Sequence, residues 1–122
     1  MSKKVISEFD EVRISSVLGE GAVIEGNLNS PDSLRIGGTV NGDICTESIA
    51  VIDEKGVING NITAVSILIA GVVHGNANSQ NKTEITATGR IYGDITTHTL
   101  SIDENAVFVG QCNMNRDADE ED

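Results

Sequence analysis

Apolar and polar positions along this chain recur with a period near 17 residues. Gly56-Val57-Ile58-Asn59-Gly60-Asn61-Ile62 sets the pattern G-x-Φ-x-G-(N/D)-Φ, where Φ is apolar. It returns at Gly38 to Ile44, Gly71 to Ala77 and Gly89 to Ile95, with looser copies, one residue longer, at Gly21 to Leu28 and Asn105 to Cys112. The second glycine falls at Gly26, Gly42, Gly60, Gly75, Gly93 and Gly110, in steps of 16, 18, 15, 18 and 17 residues. Such self-similarity means one supersecondary unit stacked on itself, and the period is too short for helical repeats, which need more than about 30 residues.

The period fits short strands joined by tight glycine turns, each strand pairing with its equivalent one coil later. The predicted fold is all-β: a single-domain parallel β-helix, or β-solenoid, of about six coils of 15–18 residues. Glycine at the corners supplies φ > 0 without steric cost, and the Asn and Asp residues that follow are the next most tolerant of that conformation.

Aligned copies yield interior columns. The apolar residue between the glycines reads Ile24, Val40, Ile58, Val73, Ile91, Phe108, and the one two places after the second glycine reads Leu28, Ile44, Ile62, Ala77, Ile95, Cys112. Upstream, alternation at period two supplies inward pairs Leu34 and Ile36, Ile67 and Ile69, Ile85 and Ala87, and Leu100 and Ile102. In the third coil both Ala50 with Ile52 and Ile49 with Val51 fit. Some coils carry a two-residue insertion before the motif, which keeps side chains on their original face. Asn78 to Thr83 reads as a bulging surface loop. The position after the second glycine stacks Asn27, Asp43, Asn61, Asn76, Asp94 and Gln111, a column that can hydrogen-bond along the axis as a ladder.

Composition narrows the picture. The chain has 122 residues, enough for one domain. Aromatics are only 2%, so Ile, Val, Leu and Ala must fill the interior, which suits a narrow core repeated in layers. A formal charge of −11 argues against a nucleic-acid surface. Two cysteines, Cys45 and Cys112, and the lack of a signal peptide point to the reducing cytoplasm. No apolar run approaches the roughly 18–20 residues of a membrane-spanning helix. The expected organisation is a flexible N-terminal tail over 1–11, the β-helix over 12–114, and an acidic disordered tail over 115–122.

The run SLRIGGTVNGDI, the recurring G-x-(V/I)-x-G-(N/D)-I and the closing AVFVGQC resemble the bactofilins, a bacterial cytoskeletal family, over about residues 17–112. The resemblance implies a right-handed β-helix with disordered tails, which polymerises without nucleotide or other cofactor into non-polar filaments. It also implies a place at the inner face of the membrane, organising cell-wall enzymes and cell shape.

The residues lead independently toward self-association. A solenoid buries its sides but leaves two open ends, and natural ones usually block them with caps. No amphipathic helix stands at either terminus here, and the last coil carries the most apolar motif, Val107-Phe108-Val109. These three are the expected self-association residues at the C-terminal end, with Leu18 and Ile24 their counterparts at the N-terminal end. Lys3, Lys4, Val5, Ile6 and Phe9 form a small amphipathic segment suited to membrane contact. A non-polymerising binding scaffold is the alternative.

An enzyme is disfavoured. Acyltransferases of the left-handed hexapeptide type also build coils near 18 residues, but steps of 15 to 18 break a strict six-residue repeat. His74 takes an outward motif position equivalent to Asn59 and Tyr92, and His98 falls in a turn between coils, so surface roles are expected for both. Gly37-Gly38 precedes no helix and is not a phosphate cradle. Asp53-Glu54 and Asp103-Glu104 read as solvated corners rather than calcium sites. Cys112 completes a core column and Cys45 points outward.

Overall fold

The computed structural model describes residues 16–114, where sixteen strands wind into a parallel β-solenoid. Each turn lays down three short strands, so the rod has three faces. The first stacks Ser16–Leu18, Leu34–Ile36, Ile49–Ile52, the later part of Ile62–Ile69, the later part of Ala77–Ile85, and Thr99–Ile102. The second stacks the motif strands Val23–Glu25, Thr39–Asn41, Val57–Asn59, Val72–His74, Arg90–Tyr92 and Val107–Val109. The third stacks Leu28–Ser30, Ile44–Thr46, the opening parts of the two long strands, Ile95–Thr97 and Cys112–Met114. Six rungs are separated by five steps, so the rod completes about five turns rather than six. The expected tails, 1–11 and 115–122, lie outside the described residues.

Strand register reproduces the two motif columns. Ile24, Val40, Ile58, Val73, Ile91 and Phe108 are successive partners, as are Leu28, Ile44, Ile62, Ala77, Ile95 and Cys112. Their central members are fully buried, because each β-branched side chain is covered above and below by its own equivalent. On the first face Leu18, Ile36, Ile52, Ile69, Ile85 and Ile102 align, with Leu34, Ala50, Ile67, Thr83 and Leu100 two residues before them. The third coil therefore uses Ala50 and Ile52, both buried, and turns Ile49 outward.

Two expectations are corrected here. Ala87 is exposed and outside the core; Thr83 and Ile85 take the inward places on that rung. The cause is a turn over Thr86–Gly89, closed by Gly89 N–H donating to Thr86 O (2.9 Å), like those closed by Ala22 to Gly19, Gly56 to Asp53 and Ala106 to Asp103. Nor is Asn78 to Thr83 a surface loop. It belongs to the nine-residue strand Ala77–Ile85, which keeps its pairing on both sides of a bulge between Ser79 and Lys82. The buried Ser79 hydroxyl reaches the carbonyls of Val65 (2.9 Å) and Lys82 (2.8 Å), satisfying groups that the bulge frees. Equivalent hydroxyls serve the same corner elsewhere: Thr46 donates to Asp32 O (2.6 Å) and Thr97 to Thr99 O (3.0 Å). On the rung where Ala64 replaces the hydroxyl, the strand runs through without a break.

The corner glycines are required by conformation and by crowding together: Gly26, Gly42, Gly75, Gly93 and Gly110 have φ between +126° and +158°, as expected. A Cβ on Gly42, Gly60, Gly75, Gly93 or Gly110 would overlap the carbonyl oxygen of the corner glycine one rung earlier. Gly60 makes the point, since it has no positive φ and is still hemmed in by Gly42. The neighbouring Asn/Asp column forms a ladder of side chain to main chain. Asn27 Oδ1 accepts from Asp43 N–H (2.8 Å), Asp43 from Asn61 (2.9 Å), Asn61 from Asn76 (3.0 Å), Asn76 from Asp94 (2.8 Å) and Asp94 from Gln111 (3.1 Å). Only an acceptor oxygen is needed, so Asp and Asn serve equally.

Candidate assembly surface at the C-terminal end of the solenoid

Among the described residues every interior column ends on the last rung, and there burial stops. Ile85, Ile91 and Ile95, one rung earlier, are completely buried. Their partners Ile102, Phe108 and Cys112 are uncovered on one side: Ile102 is 43% exposed, while Phe108, Cys112 and Leu100 are half-buried against the core. Met114 (48%) and Val109 (57%) extend the apolar surface outward. Main-chain groups are open as well. Gly93 N–H donates to Val109 O (2.9 Å) and Ile95 N–H to Gln111 O (2.8 Å), so each rung is paired by the next. Among the described residues no strand follows Val107–Val109 or Cys112–Met114 in either sheet. Thr99–Ile102 likewise pairs only with the rung before it, so the end is a layer of core joined to three strand edges with unused hydrogen-bonding capacity.

The three expected C-terminal residues divide by strand alternation. Phe108 points inward over Ile91, whereas Val107 and Val109 pair with Arg90 and Tyr92 on the outer surface and form the rim of the end. Phe108 packs against the core, while Ile102 on the same rung stays 43% exposed. Leu100, Ile102, Cys112 and Met114 were missed as end-surface residues; the signal was present, since three of them are the last members of their columns. Burial pushes the Cys112 thiol up from its ordinary value, and its Sγ lies 3.6 Å from Met114 Sδ. At the other end Leu18 and Ile24 are buried. Lys3, Lys4, Val5, Ile6 and Phe9 lie outside the described residues.

The remaining candidates belong to the rod's sides. His74 stacks on Tyr92, ring centroids 5.3 Å apart, in the outward column of the second face. His98 lies exposed between Ile95–Thr97 and Thr99–Ile102. Gly37 N–H donates to Leu18 O (2.6 Å), so the ladder uses the donor that a phosphate cradle would need. Asp53 pairs with Arg35 of the preceding rung at 3.0 Å. Among the described residues no group of three or more His, Cys, Asp or Glu side chains could hold a metal ion, and no helix is long and apolar enough to cross a membrane.

A family model described as bactofilin, polymer-forming cytoskeletal, matches residues 16–113, essentially the whole solenoid. The chain belongs to the bactofilin family. It is 30% identical over 100 residues to bactofilin BacP of Myxococcus xanthus (strain DK1622), covering 82% of this chain and 42% of BacP. It is 32% identical over 100 residues to bactofilin BacO of the same organism, covering 82% of this chain and 79% of BacO. The chain thus spans less than half the length of one bactofilin relative and most of the other. No solved structure is significantly similar to it.

Proposed function

We propose that this bactofilin is a non-enzymatic structural protein that polymerises by end-to-end stacking of its solenoids, without nucleotide or metal. The filaments serve as a scaffold for cell-shape or cell-wall machinery. The observation that carries the reading is the open C-terminal layer: Ile102, Phe108 and Cys112 continue columns that are completely buried one rung earlier. Another solenoid end placed there would bury that layer and pair the edge strands, supplying the contacts that every inner rung already has. The inner face of the cytoplasmic membrane is a further partner in this reading, through Lys3, Lys4, Val5, Ile6 and Phe9.

Phe108→Arg tests the joint. A guanidinium there would be desolvated against an apolar layer or its own counterpart, which opposes assembly. The five earlier rungs keep their pairing. The expected product is a soluble, β-rich, small species under conditions where the wild type forms filaments. Intact filaments from Phe108→Arg would refute the contact, and a collapsed circular-dichroism spectrum would assign Phe108 to the fold instead.

A further inference from the structure

The first face carries an apolar patch far from either end. Its outward positions form two columns: Arg35, Val51, Leu68, Glu84 and Ser101 in one, Ile49, Ser66, Lys82 and Thr99 in the other. Val51 and Leu68 are half-buried neighbours on the third and fourth rungs, and Ile49 beside them is 44% exposed. Contiguous apolar surface of this kind marks contact sites. Charges bracket the patch. On the second rung Arg35 is held by Asp53 at 3.0 Å, and on the fifth Glu84 lies 3.7 Å from Lys82.

We propose that this face is a side-to-side contact between two copies of the chain lying antiparallel. A two-fold axis along the strand direction, between the third and fourth rungs, reverses one rod against the other and lays each column over itself. Val51 then faces Leu68 of the second copy, Ile49 faces Ser66, and Arg35 faces Glu84, each pair occurring twice. Each intramolecular ion pair meets one of the opposite order, so Asp53–Arg35 continues into Glu84–Lys82 of the second copy with alternating sign. A parallel pair would set Arg35 against the rung of Ser33 and leave it no acidic group across the contact. The other faces give no such match. On the second face the same operation does set Val57 against Val72 and Val23 against Val107, but it puts Glu25 against Val109 and Arg90 against Thr39, so no charge meets its opposite. The third face shows Asn29, Cys45, Thr63, Asn78, Thr96 and Asn113, with no large aliphatic side chain. The patch is modest beside a stand-alone dimer interface, which buries roughly 1,200–2,000 Å² in total. Copies already joined in a rod would repeat it and gain by multivalency. The contact nevertheless does not depend on the end-to-end reading.

Cross-linking between two full-length chains with Cys45→Ser and Cys112→Ala tests the geometry; alanine already occupies the latter column at Ala77. One chain carries Val51→Cys and the other Leu68→Cys, and a short bis-maleimide is added to the mixture. The mixture is expected to cross-link faster than either chain alone, in which the two equivalent cysteines lie one strand spacing, about 4.8 Å, out of line along the rod. Adding Arg35→Glu to both chains is expected to lower the yield about tenfold, because like charges then face each other. Arg35→Glu on one chain with Glu84→Arg on the other restores both contacts and should recover it. All four positions are on the outer surface, and unchanged circular dichroism checks the fold. Repeating the experiment with Phe108→Arg separates this contact from the end joint. No cross-link in the mixture, a Val51→Cys chain that couples instead to an Ile49→Cys chain, or no recovery with the swapped charges would overturn the proposal.

Discussion

Gly60→Ala isolates what holds one rung on the next. Gly60 has no positive φ, so alanine meets no conformational penalty there. Its Cβ would instead overlap the Gly42 carbonyl oxygen and stand 2.6 Å from the Gly42 carbonyl carbon and 3.0 Å from Asp43 Oδ1. Two of these three atoms are backbone and cannot rotate away, so the rungs must separate. Overpacking of this kind costs about 1–3 kcal/mol. Separation also stretches Gly42 N–H to Asn59 O (3.1 Å) and Asn61 N–H to Asp43 Oδ1 (2.9 Å), each worth about 0.5–1.5 kcal/mol net. The sum, about 2–6 kcal/mol, is a large part of a domain's usual 5–15 kcal/mol. Gly19→Ala is the control, since nothing lies within 4 Å of its Cβ and its φ is ordinary; it should change stability by less than about 1 kcal/mol. Thermal unfolding by far-UV circular dichroism, at equal concentration, should place Gly60→Ala at least about 8 °C below wild type and Gly19→Ala close to it. Equal melting temperatures for the two variants would refute the account of the corner.

Three further outcomes are expected. Ile58→Asp buries a carboxylate with no partner between Val40 and Val73, at a cost of several kcal/mol, and should abolish soluble folded protein; an unchanged melting temperature would refute the column. Thr83→Val should stabilise by roughly 1 kcal/mol in urea titrations, because Thr83 Oγ1 is buried without a hydrogen-bond partner among apolar column neighbours, and a loss of stability would show that the hydroxyl is used. Deleting residues 2–9 should reduce sedimentation with anionic liposomes, and equal pelleting of both forms would remove the tail from membrane contact.

Much of the fold was legible because the repeat fixes register wherever glycine and the flanking apolar residues recur together. Ile24 to Phe108 and Leu28 to Cys112 were aligned from spacing alone and pair as aligned. The rung at Ile85 was misread because Ala87 is apolar at the same parity, and because the turn at Thr86–Gly89 lacks the aspartate that marks Asp53 and Asp103. The hydroxyl corner escaped notice since Thr46, Ser79 and Thr97 bond carbonyls that only the folded turn brings near. The positive φ of the glycines was legible and holds at Gly26, Gly42, Gly75, Gly93 and Gly110, whereas crowding from the preceding rung does not show in a local sequence. At the candidate end, Phe108 stood out by size. Ile102 and Cys112 have the composition of ordinary core, and only their place as last members of their columns leaves one side of them open.

The central claim is that an uncovered core layer drives solenoids to stack. Negative-stain microscopy of the purified 122-residue chain, without nucleotide or metal, tests it most directly. The account predicts long filaments one solenoid or a few solenoids wide, while uniform small particles under the same conditions would contradict it.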